Sequence, residues 1–114
     1  MRWTEAIFTR DELDLDPATF EPCRAASVPE LLSTFDADVA RCGQVLALVA
    51  EDDLGRPWRL KVKGRQLFER PRAAVFRDLT LSHLIHHRGQ LSVYLRLLEV
   101  PVPGSYGPTA DEPG

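Results

Sequence analysis

The strongest structural signal in the chain is a helix start that leads into a long apolar stripe. Ser27 and Glu30 have the Ser-x-x-Glu spacing of a capping box, and Pro29 stands near the first helical position. Apolar residues then recur at alternating steps of three and four, the spacing of a helix packed in a bundle: Leu32, Phe35, Val39, Cys42, Leu46 and Val49. The pattern predicts a helix over residues 28–50 that buries one face against other helices.

A second long helix is predicted near the C-terminus. It begins at Pro71, which the first turn of a helix tolerates, and ends at about Glu99, just before two further prolines. The tail over residues 100–114 is rich in glycine, proline and acidic residues, and Tyr106 is the side chain expected to anchor it. The predicted helix over residues 71–99 would be roughly 40 Å long.

The remaining segments are shorter. Residues 1–8 have the spacing of the last turns of a helix, and residues 9–27 are predicted to form a long irregular connection. Residues 56–70 alternate apolar and basic side chains with period two, which favours an extended hairpin that turns at Gly64. Such a hairpin needs support, because two strands alone are marginally stable.

Composition excludes several classes of protein. A length of 114 residues predicts a single domain, and a net charge of -3 with interspersed signs argues against a nucleic-acid partner. No stretch approaches the roughly 20 apolar residues of a membrane span, and no leader is recognisable, so we expect a soluble cytoplasmic protein. Cys23 and Cys42 form no known motif and are expected to be a loop thiol and a core thiol.

The three histidines of the chain fall within one helical turn: His83, His86 and His87. His83 and His87 are four residues apart, which places their Cβ atoms about 5–6 Å apart on one helical face, close enough to share a metal ion. They belong to a line of side chains expected to face the other helices: Phe76, Leu79, His83, His87, Gln90, Tyr94 and Leu97. The spacing indicates a divalent metal site, and a pair of core histidines bonded to neighbouring carbonyls is the alternative.

The same spacing occurs in zinc metalloproteases, whose helix carries His-Glu-x-x-His with the glutamate as general base. Leu84 occupies the glutamate position here. Leucine cannot accept a proton, so a protease of that mechanism is excluded.

The run over residues 81–96, followed by Val100-Pro101-Val102-Pro103 and Tyr106-Gly107-Pro108, resembles the C-terminal signature of the DinB/YfiT-like superfamily. Pro57-Trp58, the helix start at residues 71–75 and Trp3 resemble one DinB subfamily. This resemblance covers most of the chain. It implies an all-α fold, an up-down-down-up four-helix bundle, to which this chain adds a short hairpin-like insertion before the last helix.

The resemblance also implies a homodimer and a nickel- or zinc-type ion held by three histidines. Two of those ligands correspond to His83 and His87, and the third would come from the second helix of the family, shortly before Trp3 and upstream of Met1. The chain is therefore expected to be truncated at its N-terminus, without the first helix and the third ligand. Water, Glu5, His86 after a register change, or a group of a second chain would have to replace it.

The sequence also suggests roles for other polar residues of the last helix. Gln90 and Tyr94 share the histidine line and are expected to hydrogen-bond around the metal. Arg88 and Arg96 either meet an anionic substrate or lie on a solvated face, paired with Asp78 or Glu99.

Two functions are compatible with these sequence features. The resemblance implies a metal-dependent enzyme, a thiol S-transferase or hydrolase-like protein that acts with a low-molecular-weight thiol; a maleylpyruvate isomerase is also a family member. The metal would make a thiolate or hydroxide available near neutral pH. The alternative is a non-catalytic helical dimerisation module with a vestigial site, since a bundle that lacks one helix exposes apolar surface.

Overall fold

The computed structural model describes residues 2–19, 21–22, 24–109 and 111–112. Predictions that involve Met1, Cys23 or the end of the tail lie outside the described residues. The chain divides into two compact units, one up to Thr80 and one from Leu81 onward. The elements are, in order, α1 (Arg2–Thr9), β1 (Glu12–Leu15), α2 (Val28–Leu46), α3 (Glu51–Gly55), β2 (Pro57–Val62), β3 (Arg65–Pro71), α4 (Arg72–Phe76), a π-helical segment (Arg77–Ser82) and α5 (His83–Leu97).

The first unit is built on a three-stranded mixed sheet with β2 in the centre. β1 runs parallel to β2, with Leu13 opposite Leu60, and β3 runs antiparallel to β2, with Phe68 opposite the same residue. Parallel strands need a crossover connection, and α2 and α3 provide it between β1 and β2.

The predicted all-α four-helix bundle is therefore wrong, because a mixed sheet joins the helices in the first unit. The prediction failed in residues 9–27, which were expected to be irregular. Leu13 and Leu15 alternate there with two acidic residues, and the resulting four-residue strand pairs with β2. With this third strand the hairpin is part of the core of the unit rather than an insertion beside a bundle.

The hairpin turns at two residues, Lys63 and Gly64, that both adopt a left-handed backbone conformation. Lys63 and Gly64 have φ angles of 49° and 76°, and positive φ at both central positions matches the twist of the flanking strands. The amide of Gly64 donates to the Asp14 carboxylate at 2.9 Å, and Lys61 Nζ donates to Glu12 at 2.8 Å. These contacts attach β1 to the hairpin.

The core of the first unit lies between the sheet, α1 and α4. Its buried apolar side chains among the described residues are Ala6, Ile7, Trp58, Leu60 and Val75. The Trp58 side chain is fully buried, and its Nε1–H donates to the carbonyl oxygen of Ala6 at 3.1 Å. Phe8 and Phe76 meet edge to face at 5.3 Å, so α1 and α4 pack directly against each other.

Arg72 is a buried cation in this core. Its guanidinium donates from Nη1 to the carbonyl of Ile7 at 2.7 Å and from Nη2 to Asp11 at 2.7 Å. The side chain is 4% exposed, whereas Asp11 is 69% exposed. Arg72 thereby joins the start of α4 to the end of α1 and to the residue before β1.

The predicted capping box at the start of α2 forms only in part, because the Glu30 carboxylate binds the amide of Ala26 rather than that of the N-cap residue Ser27. Ser27 Oγ accepts from the amide of Glu30 at 3.3 Å, and the Glu30 carboxylate accepts from the amide of Ala26 at 2.8 Å. The helix ends at Leu46, and four residues later the separate short helix α3 begins at Glu51.

The predicted apolar stripe of α2 is largely uncovered. Leu32, Phe35 and Val39 are 56%, 52% and 43% exposed. The contact with α1 instead uses a neighbouring face of α2, where Arg41 Nε donates to Glu5 Oε2 at 2.8 Å and a second guanidinium nitrogen pairs with the other Glu5 oxygen. None of the described helices is long and apolar enough to cross a membrane.

The second unit consists of α5 and a structured tail. Asp111 accepts from the amide of Val102 at 3.0 Å and pairs with Arg96. Glu112 accepts from the amides of Gly104 at 2.6 Å and Thr109 at 3.2 Å. Within the described part of α5 no residue is buried.

Candidate metal centre

The helical segment that precedes the histidine pair is wound differently from the helix that carries it. Residues Arg77–Ser82 form a π-helix, whose i→i+5 hydrogen bonds put more residues into each turn, and His83 is the first residue of α5. Each residue of the π-segment therefore advances by less than the angle of an α-helix. The line predicted from Phe76 and Leu79 through to His87 assumed uniform winding, so its phase is wrong from the π-segment onward.

His83 and His87 converge on each other. Their Nε2 atoms are 2.8 Å apart, and their ring centroids are 4.5 Å apart with an interplanar angle of 37°. The spacing of four residues brings them together, because side chains at i and i+4 are neighbours on a helix surface. The two nitrogens that would bind a metal therefore point to the same place.

Gln90 orients the His87 ring. Gln90 Oε1 lies 2.8 Å from His87 Nδ1, and an amide oxygen only accepts hydrogen bonds, so His87 donates its Nδ1–H. In the neutral ring this leaves a lone pair on Nε2, which is the atom that faces His83. A partner that fixes the tautomer in this way is common around metal-binding histidines.

The contact between the two rings then assigns a proton to His83. Because His87 Nε2 carries a lone pair, His83 Nε2–H must donate across the 2.8 Å gap. Joint binding of a cation by both Nε2 atoms would require this proton to move to Nδ1 of His83, which frees the Nε2 lone pair. Both residues are exposed, so solvent can accept or supply that proton.

The distances suit a tetrahedral ion after a small adjustment. With Zn–N bonds of about 2.0–2.1 Å, two nitrogens of one tetrahedral site lie about 3.4 Å apart. The observed 2.8 Å would have to widen by about 0.6 Å, which small rotations of two exposed rings can supply. The pair fits two positions of a nitrogen-ligand site.

In the part of the chain that the structure describes, His83 and His87 are the two metal-binding side chains that meet. Among the described residues no group of three or more histidine, cysteine, aspartate or glutamate side chains is close enough to hold a metal ion. Glu5, the expected substitute ligand, lies in the first unit with both carboxylate oxygens engaged by Arg41, whose hydrogen bond lowers the pKa of Glu5.

Within the second unit taken by itself, the described residues form no core around the histidine pair. His83 and His87 are exposed, as are apolar neighbours such as Leu84 and Leu91. Polar and apolar side chains of α5 are therefore exposed alike, and exposure does not distinguish one face of this helix from another.

The other polar residues of α5 have different surroundings. The His86 ring stands at 66° to that of His87 with a centroid distance of 5.2 Å, so it flanks the pair without sharing the Nε2 contact. Arg88 donates to the Tyr106 hydroxyl at 2.7 Å, with its guanidinium carbon 5.1 Å from the centre of that ring. Tyr94 is 63% exposed.

The tail contacts were only partly predicted. Tyr106 was expected to anchor the tail, and it contacts Arg88. Asp111 and Glu112 were not singled out, although their carboxylates hold the backbone of residues 102–109. The ion pairs also differ from the expected ones, since Arg96 pairs with Asp111 and Asp78 pairs with Arg70. An acidic residue close to a Gly-Pro turn was the available signal.

The comparisons with known proteins agree with the family resemblance of the sequence. The model of the DinB family matches residues 3–113, which is almost the whole chain. No curated protein and no solved structure matches the chain. The matched range includes both the Trp58 hairpin and the helix of the histidine pair, and the chain belongs to the DinB family.

Proposed function

We propose that the chain binds a divalent metal ion of the nickel or zinc type through His83 and His87, and that it is a DinB-type enzyme acting with a low-molecular-weight thiol. The observation that carries this proposal is the convergence of the two Nε2 atoms at 2.8 Å, with Gln90 fixing the tautomer of His87. When bound, such an ion lowers the pKa of a thiol or water ligand and makes the nucleophilic form available near neutral pH. Water or a residue of a second copy of the chain completes the coordination.

A homodimer is part of this proposal. The apolar residues at the surface of α2 form one continuous stripe, and contiguous apolar surface on a folded chain marks an interaction site. A second copy that covers Leu32, Phe35 and Val39 would remove these side chains from water.

The metal proposal is tested by metal analysis of tag-free protein. We expect about one nickel, zinc or cobalt ion per chain after dialysis against the metal, and loss of that ion in His83→Ala and in His87→Ala. His86→Ala is the matched control and should keep the metal, because its ring does not share the Nε2 contact. Equal binding by the wild-type chain and all three variants would refute the proposal.

Gln90 provides a finer test of the same site. Gln90→Ala removes the acceptor of the His87 Nδ1–H, so the tautomer is no longer fixed, and we expect about 10–100-fold weaker metal binding. Gln90→Glu restores an acceptor at the same position and should recover most of the affinity. Unchanged affinity in Gln90→Ala would show that this contact has no part in binding.

The dimer is tested by light scattering. Phe35→Ser should reduce the mass to that of a single chain, whereas Gln44→Ser, an exposed polar position of the same helix, should leave it unchanged. A wild-type mass of one chain at micromolar concentration would refute the dimer.

The second candidate function is a non-catalytic dimerisation module. It is favoured by the exposed stripe of α2 together with the lack of a third protein donor among the described residues. In that case the purified chain would remain metal-free and dimeric, and its melting temperature would not respond to a chelator. Metal-dependent consumption of a low-molecular-weight thiol, lost in His87→Ala, would instead support the enzyme.

A further inference from the structure

A cavity of about 490 Å³ lies in the first unit between α1, β1 and α2. Each of the three elements contributes one face to it. Trp3 and Ala6 come from α1, Arg10 directly follows that helix, Leu13 and Leu15 share one side of β1, and Val45 comes from α2. This regular contribution shows that the cavity is formed by the packing of three secondary-structure elements rather than by a surface irregularity.

The walls of the cavity are largely apolar. Trp3, Leu13, Leu15 and Val45 are only partly buried, so they retain apolar surface that no other part of the described chain covers. Small-molecule sites typically have volumes of about 300–1,000 Å³ and combine apolar walls with a few polar groups. The cavity matches this description in both size and lining.

The charged groups of the lining balance one another. Glu5 and Arg41 form a two-pronged ion pair, and the cavity adds one further basic residue, Arg10, and one further acidic residue, Asp38. A lining with two positive and two negative groups offers no excess charge to a charged ligand. Taking an ion out of water without a compensating partner is costly, so this lining favours an uncharged ligand.

We propose that this cavity binds an uncharged, mainly apolar small molecule. The Trp3 indole and the aliphatic side chains supply the contact area, and the exposed Arg10 guanidinium supplies donors for a polar group of the ligand. The site contains none of the histidines, so it does not depend on the proposed metal function.

The position of the cavity on α2 distinguishes a small molecule from a second copy of the chain. At 3.6 residues per turn, Asp38, Arg41 and Val45 lie about a third of a turn away from the exposed stripe of Leu32, Phe35 and Val39. A partner helix that covers the stripe would use a different face of α2. The cavity therefore stays available to a ligand in a dimer.

The test uses the uncharged apolar dye Nile red and two substitutions that are chemically identical. Val45→Phe places a larger side chain in the cavity, and Val39→Phe places the same group on the exposed stripe of the same helix. We expect saturable binding of one dye per wild-type chain, about ten-fold weaker binding or more in Val45→Phe, and binding within about two-fold of wild type in Val39→Phe. Circular dichroism establishes that each variant is folded.

A second measurement needs no substitution in the cavity. In a Cys23→Ser chain Cys42 is the remaining cysteine, and it lines the cavity. Saturating dye should slow the alkylation of Cys42 by at least about five-fold if both occupy the same space. The proposal is overturned if Val45→Phe and Val39→Phe bind the dye equally, if the dye does not protect Cys42, or if Val45→Phe changes the mass of the assembly, since the last result would assign the cavity to a second copy.

Discussion

The two units of the chain differ in how much apolar surface they bury. Residues up to Thr80 enclose a core in which Trp58, Ile7 and Val75 are fully buried, and three strands and two helices converge on it. From Leu81 onward the described residues bury no apolar side chain, yet this part carries the histidine pair. The comparison indicates that stability is concentrated in the first unit and the candidate chemistry in the second, on a surface that exchanges ligands and protons with solvent.

The largest expected effect is the loss of Trp58. Trp58→Ala should lower the free energy of unfolding by about 3–5 kcal/mol, because it leaves a large void in the core and the carbonyl of Ala6 without its partner. Leu97→Ala, a substitution at a side chain that is 74% exposed, should change it by no more than about 0.5 kcal/mol. Urea denaturation measures both free energies of unfolding. Equal losses in the two variants would contradict the view that stability is concentrated in the first unit.

Arg72 should show the next largest effect. Arg72→Lys should destabilise the chain by about 1–3 kcal/mol, since one ammonium group cannot replace both the contact with the Ile7 carbonyl and that with Asp11. Arg70→Lys is the matched control, because Arg70 is half exposed and its ion pair with Asp78 is a surface contact worth less than about 1 kcal/mol. If the two substitutions lower the free energy of unfolding equally, the buried guanidinium does not stabilise the contact between α1 and α4.

A smaller and local effect is expected in the tail. A Cβ at Gly104 would clash with the carbonyl oxygen of Gly107, whereas a Cβ at Gly107 would meet nothing within 4 Å. Gly104→Ala should therefore break the contact with Glu112 and lower the free energy of local opening by about 1 kcal/mol, and Gly107→Ala should not. Hydrogen exchange of the amides of residues 102–109 measures this, with the first unit unaffected in both variants.

The smallest effect concerns pH. The amide of Val102, and then Arg96, stabilise the charged form of Asp111 and lower its pKa below the ordinary value of 3.8. A lowered pKa in the folded state stabilises the fold above the ordinary value, and this stabilisation is lost as the pH falls through the folded pKa. Below about pH 4 the protection of the Val102 amide, measured against its intrinsic exchange rate at the same pH, should fall in the wild-type chain, and Asp111→Asn should abolish this change in protection.

The sequence predicted those features that depend on local patterns. The Ser-x-x-Glu pattern at Ser27 marks the start of α2, and the period-two alternation around Trp58 corresponds to the hairpin. The i, i+4 spacing of His83 and His87 brought the two rings together. In each case neighbours along the chain decide the geometry.

The features that the sequence did not predict depend on distant contacts. β1 is four residues long, and it is a strand because it pairs with residues 59–62. The π-helical winding of residues 77–82 leaves the apolar spacing unchanged, so the pattern could not show the shift in phase before His83. The carboxylates of Asp111 and Glu112 bind backbone amides across the tail, for which side-chain periodicity carries no signal.

The proposed metal site is tested most directly by NMR of the imidazole nitrogens during a zinc titration. In a ¹⁵N-labelled chain, the Nε2 resonances of His83 and His87 should shift together and saturate at one zinc per chain, while His87 Nδ1 stays protonated against Gln90 and His86 is unaffected. If His86 shifts equally with the other two, or if no imidazole responds at millimolar zinc, the histidine pair is not a metal site.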